Sequence, residues 1–297
     1  MDAAGRGDLE LCERLAARAV ELAEALPDGP ERDRMLAQAL RPVGTAQRGR
    51  GRYAEAGAAF ERAAALATTG FGRESIEVAE LLNDLGMTFK FAGRFDDAER
   101  AYRRTGTILK AIDADPEDVA ALYHNLGGLA HARRDFVAAE PLARRAVEIR
   151  SRALGPRHVA TLLDRSAHAA ILDGLGRHDE AEASIRDILR DLEAALGTDH
   201  PEVAVALNNL AAIVQRRGDL PQAEALYRRV IAIKESRLGG ESPALAVPLN
   251  NLGSVLRAAG RPDEARAAFE RALRLLEGEV AGDHPNLATI RRNLARG

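Results

Sequence analysis

Apolar residues along this chain return every third or fourth position for about 15 residues at a time, the spacing that turns one side of an α-helix toward a core. The segments are broken by short turns such as A-G-R-F-D-D-A at 92–98 and R-G-D-L-P-Q-A at 217–223. Gly in such a turn ends one helix and lets the chain reverse into the next, so the pattern predicts helical hairpins. The hairpins recur. The alanine after each turn falls at Ala56, Ala98, Ala139, Ala181, Ala223 and Ala265, at intervals of 42, 41, 42, 42 and 42 residues. A fixed period of this length is the signature of a stacked repeat array.

A second series runs through the first helix of each hairpin: Val43, Leu85, Leu126, Ser166, Leu210, Leu252 and Leu294. A polar pair precedes it. The fourth hairpin breaks step, and L-D-G-L-G-R-H-D-E-A at 172–181 reads as carrying two extra residues around Leu175 and Gly176 before its turn. Small residues at Gly86, Gly127, Ala167, Ala211 and Gly253 let the two helices of a hairpin approach closely, and Phe60, Tyr102, Ile185, Tyr227 and Phe269 fill the space four residues after each alanine. Between hairpins, G-T-D-H-P-E-V-A at 197–204 and A-G-D-H-P-N-L-A at 281–288 combine a terminating Gly, a polar N-cap and a Pro in the first helical turn, where its missing N–H costs nothing. Asp115-Pro116 and Ser242-Pro243 do the same.

Composition narrows the function. Of 297 residues 46% are apolar and 29% charged, enough for burial, while the aromatic share of 4% and the prevalence of Ala, Leu, Arg and Glu favour helix over strand. A net charge of −3 with both signs interspersed recommends neither nucleic acid nor an anionic membrane surface. Cys12 stands alone, which excludes an internal disulfide and a Cys-based zinc site. The acidic start has no leader-like apolar run and no segment is long enough to span a bilayer, so the chain reads as cytoplasmic. G-R-G-D-L-E at 5–10 follows no strand and reads as a tail. No nucleophile-elbow, Walker-type or other catalytic motif occurs, and no cofactor is expected.

The repeat unit, best displayed by H-P-E-V-A-V-A-L-N-N-L-A at 200–211, resembles the tetratricopeptide repeat of the kinesin-light-chain type over roughly Leu36 to Ala295. The resemblance implies an all-α, right-handed superhelical solenoid of antiparallel helix pairs. Residues 1–30 form a degraded N-terminal helical unit, 31–284 six hairpins of about 42 residues and 285–297 a C-terminal capping helix. It also implies a concave groove lined by the first helices and a role as a non-enzymatic scaffold for a protein or peptide, with self-association through the terminal repeats as a further possibility.

In that geometry the first residue of each polar pair (Asn83, His124, Asp164, Asn208, Asn250, Arg292) faces the groove. The second (Asp84, Asn125, Asn209, Asn251, Asn293) lies at the packing seam, where its amide is expected to bond neighbouring backbone. A groove Asn offers donor and acceptor to an extended peptide backbone, or is simply solvated. Helical steps from these positions add Arg41, Thr45, Arg48, Glu80, Met87, Lys90, Phe91, His131, Gln215, Arg216 and Arg257. Glu80 and Asp164 are then set against Arg41, Arg48, Lys90, Arg216, Arg257 and Arg292, a locally basic lining that favours an acidic or carboxylate-bearing peptide, with Met87 and Phe91 as apolar contacts. The alternative is an enzyme or a small-ligand or metal binder. His124 and His131 are seven residues apart on one helix and Asp164 and His168 four apart on the next, which could bring imidazoles and a carboxylate together. His158, His200 and His284 fall in loops between hairpins and His178 in a turn.

Overall fold

The structure, a computed structural model, describes residues 3–49, 52–277 and 285–296. His284 and the side chain of Cys12, both named above, lie outside the described residues. Among the described residues there are fourteen α-helices and no strand. The first is α1 (Ala3–Glu24), and six hairpins follow: α2 (Pro30–Gly49) with α3 (Tyr53–Gly70), α4 (Ile76–Phe91) with α5 (Phe95–Ala111), α6 (Pro116–Ala132) with α7 (Phe136–Leu154), α8 (Val159–Gly174) with α9 (His178–Leu196), α10 (Pro201–Arg216) with α11 (Leu220–Leu238), and α12 (Ala246–Ala258) with α13 (Pro262–Leu276). A last helix, α14 (Pro285–Leu294), has the register of a first helix. The fold is an all-α solenoid of antiparallel helix pairs. The G-R-G-D-L-E stretch is not a tail, since it lies within α1.

The hairpin turns are three residues long at 92–94, 133–135, 175–177, 217–219 and 259–261. The fourth hairpin therefore holds no extra residues, and counting back from its turn moves the register of α8 by two. Gly176 closes that turn at φ 81°, donating to the Asp173 carbonyl at 3.0 Å while Arg177 N donates to Leu172 O at 2.9 Å. These bonds satisfy two of the carbonyls that a helix end leaves orphaned. In the third hairpin the equivalent left-handed position is Arg134, φ 61°.

Two compact units make up the chain, one spanning Gly7–Ala153 and the other centred on Leu154–Gly297. Each has its own core. In the N-terminal unit Phe60, Tyr102 and Ile108 are fully enclosed; in the C-terminal unit Ile185, Ile188, Leu207 and Tyr227 are. Burying a side chain of this size stabilises by about 1.5–3 kcal/mol. The rings lie directly on small residues of the paired helix. A Cβ added at Gly86 would sit 2.5 Å from Tyr102 Cε1, and one at Gly253 would sit 2.7 Å from Phe269 Cε1. Gly44 meets Phe60 in the same way at 2.8 Å, extending the small-residue series to a member the sequence reading left out. In α8 the member of this series is the fully buried Ala169 and not Ala167.

Candidate functional site

Within each unit consecutive first helices touch, α2 with α4, α4 with α6, α8 with α10, α10 with α12 and α12 with α14. Among the described residues consecutive second helices make no contact of that extent. The first helices thus form the tighter layer, and their outward residues line the inner face of each unit.

The polar pairs on this face join across the period. Asn125 Nδ2 donates to Asn83 Oδ1 at 2.8 Å, Asn251 Nδ2 to Asn208 Oδ1 at 3.4 Å, and Asn293 Nδ2 to Asn250 Oδ1 at 2.8 Å. The seam residue of one hairpin therefore bonds the groove residue of the hairpin before it, not neighbouring backbone. In α8 the acceptor is Ser166, whose Oγ receives Asn209 Nδ2 at 2.9 Å. Ser166 is thus the groove-register residue of the fourth hairpin, and His168 holds the register of the seam leucine. At the N-terminal end an ion pair replaces the amides, with Arg41 Nε donating to Asp84 Oδ2 at 2.8 Å. A hydrogen bond accepted at Oδ1 fixes which way an asparagine amide is turned. It leaves the NH2 groups of Asn83, Asn208 and Asn250 on the open side, and among the described residues no protein atom accepts from them.

Two helical turns further along, the inner face carries Arg48, Lys90, His131, Asp173, Gln215 and Arg257. Arg48 lies over the Phe60 ring at 5.3 Å, Arg257 over Phe269 at 5.3 Å, and Gln215 Oε1 accepts from the Tyr227 hydroxyl at 3.3 Å. His131 packs edge-on to Phe136 at 5.3 Å. Asp173 is the acid of this column, and its side chain is fully buried. It bonds His178 Nδ1 at 2.7 Å and pairs with Arg216.

These pairings change the charge of the lining. Arg41 contacts Glu80 at 2.5 Å as well as Asp84, Arg48 shares Asp84 at 3.3 Å, and Arg216 is held by Asp173. Asp84 and Asp173 thus offset cations that the sequence leaves in surplus. Arg257 donates to the Asn293 carbonyl at 3.0 Å, and Arg292 to Thr289 Oγ1 at 3.4 Å. Among the described residues no carboxylate lies within ion-pair distance of Lys90, which is on the inner face of the N-terminal unit. Its Nζ lies 5.1 Å from the centre of the Phe91 ring. Phe91 is 47% exposed and stacks on Tyr53 at 6.4 Å. Burial, and then the neighbouring Arg48, push the Lys90 ammonium below its usual range.

Asp164, read as a groove residue, is buried at 3% exposure in the register that Leu81, Leu122 and Ala206 occupy elsewhere. His124 and His131 belong to the N-terminal unit, Asp164 and His168 to the C-terminal one. Among the described residues no three His, Cys, Asp or Glu side chains are grouped so as to hold a metal ion. His158 and His200 cap helices, each Nδ1 accepting from a backbone N–H, Ala160 at 3.3 Å and Glu202 at 3.2 Å. Asp173 and Ser166 are the inner-face residues that sequence reasoning missed; stepping back 42 residues from Asn208 would have found Ser166.

A tetratricopeptide repeat model matches residues 35–111, 118–193, 165–236, 202–278 and 244–296. Among solved structures, BtubC (BKLC) from P. vanneervenii is similar at 22% identity and a TM-score of 0.55, over 93% of this chain and 94% of that one. A substituted form of the Podosopora anserina kinesin light chain nearly identical TPR-like repeats is similar at 20% identity and 0.54, over 71% and 99%. The Rap conjugation gene regulator of the plasmid pLS20, solved in complex with the Phr* peptide, is similar at 16% and 0.61, over 74% and 63%. At these identities the likeness is one of fold. No curated protein sequence matches the chain. No described helix is long and apolar enough to cross a membrane.

Proposed function

The chain belongs to the tetratricopeptide repeat family, and we propose on that premise that it is a peptide-binding scaffold whose ligand lies in extended form on the inner face of the first helices. The observation that carries this reading is the set of outward amide NH2 groups at Asn83, Asn208 and Asn250, half-buried and held in one orientation by the seam asparagines. Backbone carbonyls of an extended peptide accept from such donors whatever its side chains are. Val205 and Val247, 44% and 41% exposed at matching positions on α10 and α12, add apolar contact beside Asn208 and Asn250. The peptide-bound Rap regulator supports the same use of this fold. A preference for acidic segments rests on Lys90 and Arg257, lining cations of the two units that, like Arg292, have no carboxylate partner among the described residues.

The test begins with selection of binding peptides from a random display library, followed by titration. Asn208→Ser with Asn250→Ser keeps an acceptor for the seam asparagine, as Ser166 does, and removes only the outward NH2. Affinity should fall by a similar factor for peptides of unrelated sequence, at roughly 1 kcal/mol per lost bond, with the melting temperature unchanged. Selection of no peptide, or unchanged affinity in the double variant, rejects the reading.

A further inference from the structure

The inner face of the C-terminal unit carries two parallel rows of side chains. One is of amides. Asn208 and Asn250 each turn Oδ1 to a seam asparagine, and Gln215 turns Oε1 to the Tyr227 hydroxyl. These three amides on α10 and α12 therefore present NH2 donors outward and keep their oxygens for the protein. The other row is apolar. Leu163, Val205 and Val247 stand three residues before Ser166, Asn208 and Asn250, the leucine half-buried and the valines 44% and 41% exposed. The matching positions of the N-terminal unit are Gln38, Glu80 and Ala121, so the apolar row belongs to the C-terminal unit.

A ligand that meets both rows has to repeat in step with the helices, and packed helices lie about 8–10 Å apart. A β-strand advances about 3.3 Å per residue and alternates its faces, so after three residues it has covered that distance but shows its other side. A step of two residues keeps the side and falls short, at about 6.6 Å. The polyproline II helix turns once in three residues and rises about 9.3 Å in doing so, which brings a carbonyl and a side chain back to the same side at each first helix. It makes no internal hydrogen bonds, and its carbonyls are open to amide donors. The outward donors select further. A ligand N–H turned toward these amides meets only other donors and loses its bond to water, whereas proline has no N–H to lose.

From this arrangement we infer that the C-terminal unit recognises a proline-rich segment in the polyproline II form. Carbonyls three residues apart in the ligand accept from Asn208 and Asn250, and apolar side chains at the same interval rest on Val205 and Val247. The inference rests on the peptide-scaffold reading and adds to it the backbone form, the period and the residue class of the ligand. A segment already in this form gives up little freedom on binding.

The probes are two N-acetylated peptide amides, one of four Leu-Pro-Pro triplets and one of four Leu-Gly-Ser triplets, titrated into the full chain by calorimetry. Both place leucine at every third residue, and only the first is held in the polyproline II form. It should bind roughly tenfold tighter or better, as a preorganised ligand does. Asn208→Ser with Asn250→Ser, and separately Val205→Ser with Val247→Ser, should each weaken it roughly tenfold while the melting temperature stays unchanged. Equal affinity for the two probes, or a double variant that binds Leu-Pro-Pro as wild type does, overturns the inference. If library-selected peptides bind through Asn208 and Asn250 while the Leu-Pro-Pro probe does not bind, the polyproline assignment falls and the scaffold stands. If no peptide is selected and neither probe binds, both are overturned.

Discussion

Asn209 donates its side-chain N–H to Ser166 Oγ across 2.9 Å, joining α10 to α8 over a sequence separation of 43 residues. The same bond is made by Asn251 to Asn208 and by Asn293 to Asn250, also 43 residues apart. Ser166 therefore takes the part of a groove asparagine, and the fourth hairpin is in step with the others. Read from the sequence as a seam leucine position, residue 166 would gain stability from Ser166→Leu. The structure makes the opposite prediction. Ser166→Leu or Ser166→Ala leaves the half-buried Asn209 donor without its acceptor and should cost about 1 kcal/mol, whereas Ser166→Asn should be tolerated. Urea unfolding of the three variants decides between the two registers.

Arg216 and Arg257 look alike in the sequence, and their environments part them. Arg216 is bound to the buried carboxylate of Asp173, while Arg257 bonds a carbonyl and lies over a ring. Arg216→Ala strands a carboxylate with His178 as its remaining partner and should cost about 2 kcal/mol, tempered by the exposure of the Arg216 head. Arg257→Ala should cost about half that. Thermal midpoints of the two variants, compared at one pH and salt concentration, give the answer.

Gly86 and Gly57 offer a paired test of the helix contacts. An added Cβ at Gly86 would overlap Tyr102, whereas at Gly57 it would meet Phe89 Cε1 at an ordinary 3.7 Å. Gly86→Ala should destabilise by about 1–3 kcal/mol through overpacking. Gly57→Ala should stabilise by up to about 1 kcal/mol, because alanine loses less backbone freedom on entering a helix. Opposite shifts in the denaturation midpoint are the expected outcome.

Lys90 carries a pH dependence whose sign follows from its lowered pKa. The folded protein releases this proton at a lower pH than the unfolded chain does. Between those two values the unfolded chain holds more protons, so folding stability rises with pH there. At neutral pH the penalty is present in full. Lys90→Met should therefore raise the melting temperature at pH 7 while it weakens acidic peptides, and should remove the share of the alkaline rise that Lys90 contributes, leaving that of Lys234, which burial also lowers. Melting curves from pH 7 to 11 for wild type and variant measure both effects.

Most of the fold is legible because it is local. Turn glycines at 93, 176, 218 and 260, N-cap and Pro signals and the three-and-four spacing act within a few residues of one another. Outside α8, where Ala169 and not Ala167 is the member, the small-residue and aromatic series fall into place by simple counting, as Gly86 against Tyr102 and Gly253 against Phe269 demonstrate. The register of α8 is hidden because Ser166-Ala167 lacks the doubled amide that marks α10 and α12. The charged Asp164-Arg165, two residues earlier, then passes for the polar pair.

By itself the sequence determined that the chain is an array of helical hairpins with a period near 42 and which faces of those helices are apolar. These follow from short-range periodicity and chain entropy. Only the tertiary structure decided where the polar groups place their hydrogen bonds. The partner of Asn250 is Asn293, that of Arg41 is Asp84, and that of Arg216 is the buried Asp173. Each is about 40 residues away and is brought within 3.5 Å only by stacking of one hairpin on the next. A count of charges along the sequence cannot tell a free cation from a neutralised one, because the carboxylate that quenches it arrives from a different helix.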